Sequence, residues 1–189
     1  MKKILVCLCL LLSMACARKI AANGEPSSRY HTTLRHHTKE HKSYTMEKVL
    51  YKTSIAYKSC DLRKAYVEEY ADVYKSNSSD IEKMMAEEMA DCEKYDAFVV
   101  AHFASDKETR RIETKSGVWK VTLLSAGSSD AVAPESVMAL PGERPVSEYF
   151  YPFISPWSRT YLVKFPKQPG NALTLNMDGI EGNLQFSWK

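Results

Sequence analysis

The chain carries no glycine-rich phosphate loop, no G-x-S-x-G, no H-E-x-x-H and no C-x-x-C. These absences remove the sequence signatures of nucleotide binding, of α/β-hydrolase and zinc-protease chemistry and of dithiol redox exchange. Charge of one sign is also missing. Basic residues number 26 against 23 acidic ones, so no electrostatic case exists for a nucleic-acid partner. The uncharged apolar run at 4–12 is too short to span a bilayer, which takes about 20 residues. An outer-membrane barrel asks for more and longer strands and a terminal aromatic, whereas Lys189 ends this chain. The expectation is a non-catalytic protein with no cofactor, no metal and no catalytic residue.

What is present begins with Lys2 and Lys3, followed by the apolar run and by Leu12-Ser13-Met14-Ala15-Cys16. A positive start, a short apolar stretch and a small residue make a signal peptide over 1–15. The last five residues resemble the lipobox of bacterial lipoproteins, in which a small residue precedes a cysteine that is acylated and becomes the mature first residue. The resemblance implies lipidation of Cys16 and attachment to the outer membrane, facing the periplasm or the cell surface. Ala15-Cys16-Ala17 also satisfies the small-x-small rule for ordinary cleavage, which would leave a soluble periplasmic or secreted protein. Both readings place the body outside the cytoplasm. Cys7 and Cys9 leave with the signal peptide, Cys16 takes lipid, and Cys60 and Cys92 remain as an even pair.

Residues 16–45 are polar, with Gly24, Pro26, paired serines and few aliphatic side chains. Such a segment buries too little to order itself and reads as a flexible, lipid-anchored tether. Four of the five histidines, His31, His36, His37 and His41, lie here among Arg29, Arg35, Lys39 and Lys42. The neighbouring cations oppose metal binding. A tether that gains charge below about pH 6.5 and leans toward anionic head groups is a second reading, and a plain solvated linker is the simplest.

Within a single domain over 46–189, Leu62, Tyr66, Tyr70 and Val73 recur at helical spacing, and Ile81, Met85, Met89 and Cys92 form a second stripe. Lys75-Ser76-Asn77-Ser78 breaks the pattern, and Ser79 with Glu82 forms a capping box. The short break folds the two helices into an antiparallel hairpin at about 61–93, returning Cys92 toward Cys60. A disulfide there would stabilise the fold by roughly 3 to 4 kcal/mol in the chain-entropy account; the alternative is two buried free thiols.

The rest reads as strands. Val49, Tyr51, Thr53, Ile55 and Tyr57 alternate strictly, 97–105 is apolar on both faces as a central strand is, and shorter strands follow at 118–124, 136–140 and 160–165. Leu173, Leu175 and Met177 alternate into Asp178-Gly179, a two-residue hairpin signal, and the answering strand carries Gly182 as a bulge. Seven or eight short strands with one helical insertion predict a mainly β fold, an antiparallel β-sandwich with an inserted α-helical hairpin. It resembles the immunoglobulin-like class in architecture, without that class's inter-sheet cysteine pair. A small antiparallel β-barrel carrying the same hairpin is the alternative.

Candidate chemistry is thin. His102, alone in an apolar strand, reads as a satisfied core residue, and a nucleophile built from Cys60 or Cys92 with it would lack an orienting third group. Glu68, Glu69, Asp72, Glu87 and Glu88 read as a solvated helix face. The unusual surface is 145–159, where Tyr149, Phe150, Tyr151, Phe153 and Trp157 crowd between prolines. Tyr149, Tyr151 and Trp157 are the candidate ligand surface, since stiffened aromatics stack on a sugar or peptide at little entropic cost; the competing reading has them cap the end of the sandwich. Taken together, these features predict a membrane-anchored envelope protein that binds another protein or a cell-wall component, with a small secreted hydrolase as the alternative.

Overall fold

The computed structural model describes residues 28–47, 49–112, 118–140, 144–170, 172–180 and 182–189. The expected signal peptide, Cys16 and the first part of the expected tether lie outside the described residues. In chain order the elements are α1 (Arg29–His37), β1 (Thr38–Tyr44), β2 (Val49–Tyr57), α2 (Cys60–Tyr74), α3 (Ser78–Lys94), β3 (Tyr95–Ala104), a 3₁₀ turn (Glu108–Arg110), β4 (Trp119–Ser125), β5 (Ser136–Ala139), α4 (Arg144–Phe150), β6 (Arg159–Pro166), β7 (Leu173–Gly179) and β8 (Gly182–Trp188).

Strand β3 is buried on both faces because it is central to a five-stranded sheet of order β1-β2-β3-β6-β5. Every ladder is antiparallel, with Ile55 opposite Val100 and Val100 opposite Tyr161. A second sheet of order β4-β7-β8 stacks on one face. Period-two alternation supplies the core between them: Tyr51, Ile55, Phe98, Val100, Tyr161, Val163 and Phe165 meet Trp119, Leu123, Leu175, Met177, Phe186 and Trp188. The two sheets share no ladder among the described residues, so the sandwich forms and the barrel alternative does not.

The opposite face of the five-stranded sheet is roofed by helices. Tyr30, Leu34, Leu62, Ala65 and Phe150 form a second apolar cluster on Ala56 of β2. The hairpin sits here as expected, with Cys60 in the first turn of α2 bonded to Cys92 in the last turn of α3 and their Cα atoms 5.6 Å apart. Its break differs from the expected one. Asn77, rather than Ser79, caps α3 by accepting from the Asp80 N–H at 2.9 Å, because the amide oxygen reaches that donor two residues earlier than the serine pair could.

Two further readings are corrected. Residues 28–45 are no tether: α1 buries Tyr30, His31 and Leu34, and β1 adds an edge strand that pairs with β2 throughout. Composition misleads here because three buried side chains suffice for a nine-residue helix, and because an edge strand is polar by necessity: Lys39, Glu40 and Lys42 charge it against further pairing. The expected Asp178-Gly179 turn lies inside the ladder, since Gly179 pairs directly with Gly182 and the register runs on without a bulge. Gly179 is a glycine for a different reason from the expected one. A Cβ there would lie 2.7 Å from the Trp119 ring and from the Val118 carbonyl, so Trp119 could not pack as it does.

A chain beginning at Met46 would lose Tyr30 and Leu34, which are 1% and 2% exposed, and would expose the β2 edge. It is expected to be less stable by at least about 4 kcal/mol in denaturant titration. An unchanged midpoint would contradict the placement of α1 and β1.

Candidate functional site

The aromatic segment divides into an inward and an outward part. Phe150, at the end of α4, is buried against Tyr66 at 4.8 Å, Tyr149 at 5.1 Å and Tyr30 at 5.6 Å between ring centroids. Helix α1 grips the chain at this point through two backbone carbonyls. The Tyr30 hydroxyl donates to Phe150 O at 2.6 Å, and His31 Nε2 donates to Tyr149 O at 2.9 Å. The Tyr149 hydroxyl donates to Glu69 of α2, and the Tyr151 ring packs on Phe153. Burial first, then neighbouring phenols, raises the Tyr30 and Tyr151 hydroxyls above their ordinary range, and burial pushes Tyr66 up to about 12. Tyr149 and Tyr151 therefore belong to the helical layer. Both are half-buried and pack against the second apolar cluster rather than the core between the sheets.

Trp157 alone of the three faces solvent, 71% exposed. It rides on a turn in which Ser158 Oγ accepts from Ser155 N at 3.0 Å and donates to Ser155 O at 2.9 Å. Two concavities flank that turn and share Pro156, Ser158 and Arg159 as a common wall. The larger, about 390 Å³, lies between α4 and the β5–β6 end and presents Ser147, Glu148, Ser155 and Thr160. The smaller, about 260 Å³, is lined by Lys107, Glu108, Arg110, Trp157 and Arg159.

The cationic side of the smaller concavity is built by the 3₁₀ turn. Asp106 accepts from the Glu108 N–H at 2.9 Å and starts it, and Arg110 is fixed by donating from Nε to Ala104 O at 2.6 Å with its guanidinium 4.9 Å above the Phe103 ring. Among the described residues of that lining Glu108 is the one acid, and its carboxylate lies 3.7 Å from Arg111. Lys107, Arg110 and Arg159 escaped the sequence reading. The cluster Lys107-Glu108-Thr109-Arg110-Arg111 was visible as a basic run, but nothing local joins it to Trp157.

A second charged group lies under the hairpin. The Arg63 side chain is wholly buried, with Nη1 2.7 Å from both Glu88 and Asp91 and Nε donating to Lys58 O at 2.9 Å. Lys58 pairs with Glu88 at 3.1 Å, and Lys164 of β6 pairs with Asp91. Burial lowers the Lys58 ammonium against the pull of Glu88, whereas burial of Asp91 is outweighed by Lys164 and Arg63, which hold it below its ordinary value. Glu88, expected on a solvated face, instead points inward because Arg63 cannot be buried without a counter-charge. These groups answer one another and serve as the seat of the hairpin.

His102 is a core residue. Its Nε2 donates to Thr109 O at 3.2 Å, so Nδ1 accepts from Thr53 Oγ1 at 2.8 Å, and burial lowers it to about 4. With Cys60 and Cys92 bonded to each other, neither is a thiol that His102 could activate. Among the described residues no three His, Cys, Asp or Glu side chains gather in a metal-binding arrangement, and no helix is long and apolar enough to cross a membrane.

The imidazole shift has a pH consequence. Between its ordinary 6.5 and about 4, the unfolded chain protonates His102 and the folded chain does not. Unfolding then takes up a proton, so stability falls as pH falls through this window, by about 3 kcal/mol over its full width. His37, also lowered by burial, adds to the loss with the same sign. Thermal melts at pH 7 and pH 4.5 should differ less for His102→Gln than for the parent; an equal difference would contradict this assignment.

Comparison with protein families, with curated proteins and with solved structures finds no match to this chain.

Proposed function

We propose that this protein is a non-catalytic binding protein of the bacterial envelope, exported by its signal peptide, anchored by lipid on Cys16, and engaging an envelope protein or a cell-wall component through the face around Trp157. The observation that carries the reading is the exposed indole itself, fixed on a serine-braced turn between two concavities. A large aromatic side chain left in water on a rigid turn forgoes the burial that would stabilise it by about 2 kcal/mol, and a ligand restores that burial at low entropic cost. The Cys60–Cys92 bond is in keeping with an oxidising compartment. The hydrolase alternative needs a base facing a hydroxyl. Among the described residues lining the larger concavity, Glu148, Arg159 and Tyr161 are the ionisable side chains and no imidazole is present.

The anchored protein, purified from membranes of cells expressing the full chain, should have the intact mass of a chain acylated at Cys16, and it should copurify with an envelope component that Trp157→Ala loses without a change in melting temperature. A free amino terminus at Ala17 or later would overturn the anchor, and undiminished copurification by Trp157→Ala would overturn the binding face.

A further inference from the structure

We infer that the concavity beside Trp157 is a site for an acidic saccharide, one sugar ring lying on the indole and its carboxylate turned toward Lys107 and Arg110. The inference rests on the binding role proposed above and adds the ligand's chemistry.

Three features select this class. The indole is 71% exposed and gives a flat apolar face of the kind that stacks on the C–H side of a sugar ring. Lys107 and Arg110 line the same concavity with Arg159 at its wall, against one acid, Glu108, that Arg111 already approaches. Arg110 is pre-oriented by its bond to Ala104 O and its seat over Phe103, so a carboxylate meets a guanidinium that loses little freedom on pairing. The neighbouring concavity, reached across Ser158 and Arg159, presents the Ser155 and Thr160 hydroxyls, which donate and accept as a polyol requires and continue the site for a second sugar unit.

A membrane surface fits less well. Insertion needs further large apolar side chains beside the tryptophan, and the other exposed ones among the described residues, Tyr44, Met46, Val73, Tyr74, Met138 and Ile180, line neither concavity.

The test is calorimetric titration of the mature full chain at low ionic strength with trigalacturonate and with its neutral methyl ester. The acid should bind roughly tenfold more tightly than the ester, and the preference should shrink with added salt. Trp157→Ala should weaken both by about fivefold to tenfold, and Lys107→Gln with Arg110→Gln should abolish the preference for the acid while ester binding remains. Equal binding of acid and ester would overturn the charge pairing, and undiminished binding by Trp157→Ala would overturn the site. If neither saccharide binds while Trp157→Ala still loses its copurifying component, the ligand class is wrong and the binding role stands.

Discussion

Helix α3 is fastened to the protein by one covalent bond and a set of charge contacts, with little apolar burial behind it. Cys92 is the only buried residue of its seventeen, and its inward carboxylates, Glu88 and Asp91, reach Arg63, Lys58 and Lys164. A buried guanidinium contributes little net stability over an apolar side chain of its size, but removing its partners is costly. The network therefore fixes the position of the hairpin more than it stabilises the fold. That position propagates. With the hairpin seated, α2 lays Tyr66 and Tyr70 over Phe150, α1 holds the carbonyls of Tyr149 and Phe150, and the chain leaves this clamp directly into the turn that carries Trp157.

The sheet beneath separates two kinds of packing. On the sandwich side, alternating side chains from both sheets interdigitate in a dry core, which sets the fold and tolerates one buried imidazole because Thr53 and Thr109 satisfy both of its nitrogens. On the helical side the cluster is aromatic and polar at once, the Tyr30 phenol bonded to the Phe150 carbonyl and that of Tyr149 to Glu69. Rigidity on that side positions groups at the surface, and the candidate site lies at its margin.

The sandwich was legible in the sequence because its signal is local. Alternation in β2, β7 and β8 and the two-faced apolarity of β3 follow from a period that a few residues express, and the cysteine pair marked the ends of the hairpin. What was missed depends on partners distant in sequence. Helix α1 and strand β1 read as a tether because their buried side chains are few and find Phe150 and β2 only in the folded chain. Glu88 read as solvated until Arg63 came to rest beneath it. Asp178-Gly179 carried a turn signal that register overrode, since Gly179 is needed where Trp119 approaches it. An aromatic-rich segment looks the same in sequence whether it faces water or a helix, and only the folded chain divides it, with Phe150 buried, Tyr149 and Tyr151 half-buried and Trp157 exposed.

The central claim, that a disulfide and a buried charge network seat the hairpin on an independently packed sandwich, is tested most directly by amide hydrogen exchange in the oxidised and the reduced protein under native conditions. Reduction of Cys60–Cys92 should speed exchange first across residues 60–94, with β3, β4, β6 and β7 keeping their protection and the global stability falling by roughly 2 to 4 kcal/mol. Loss of protection in the hairpin and the sandwich strands together, at one rate, would contradict the claim.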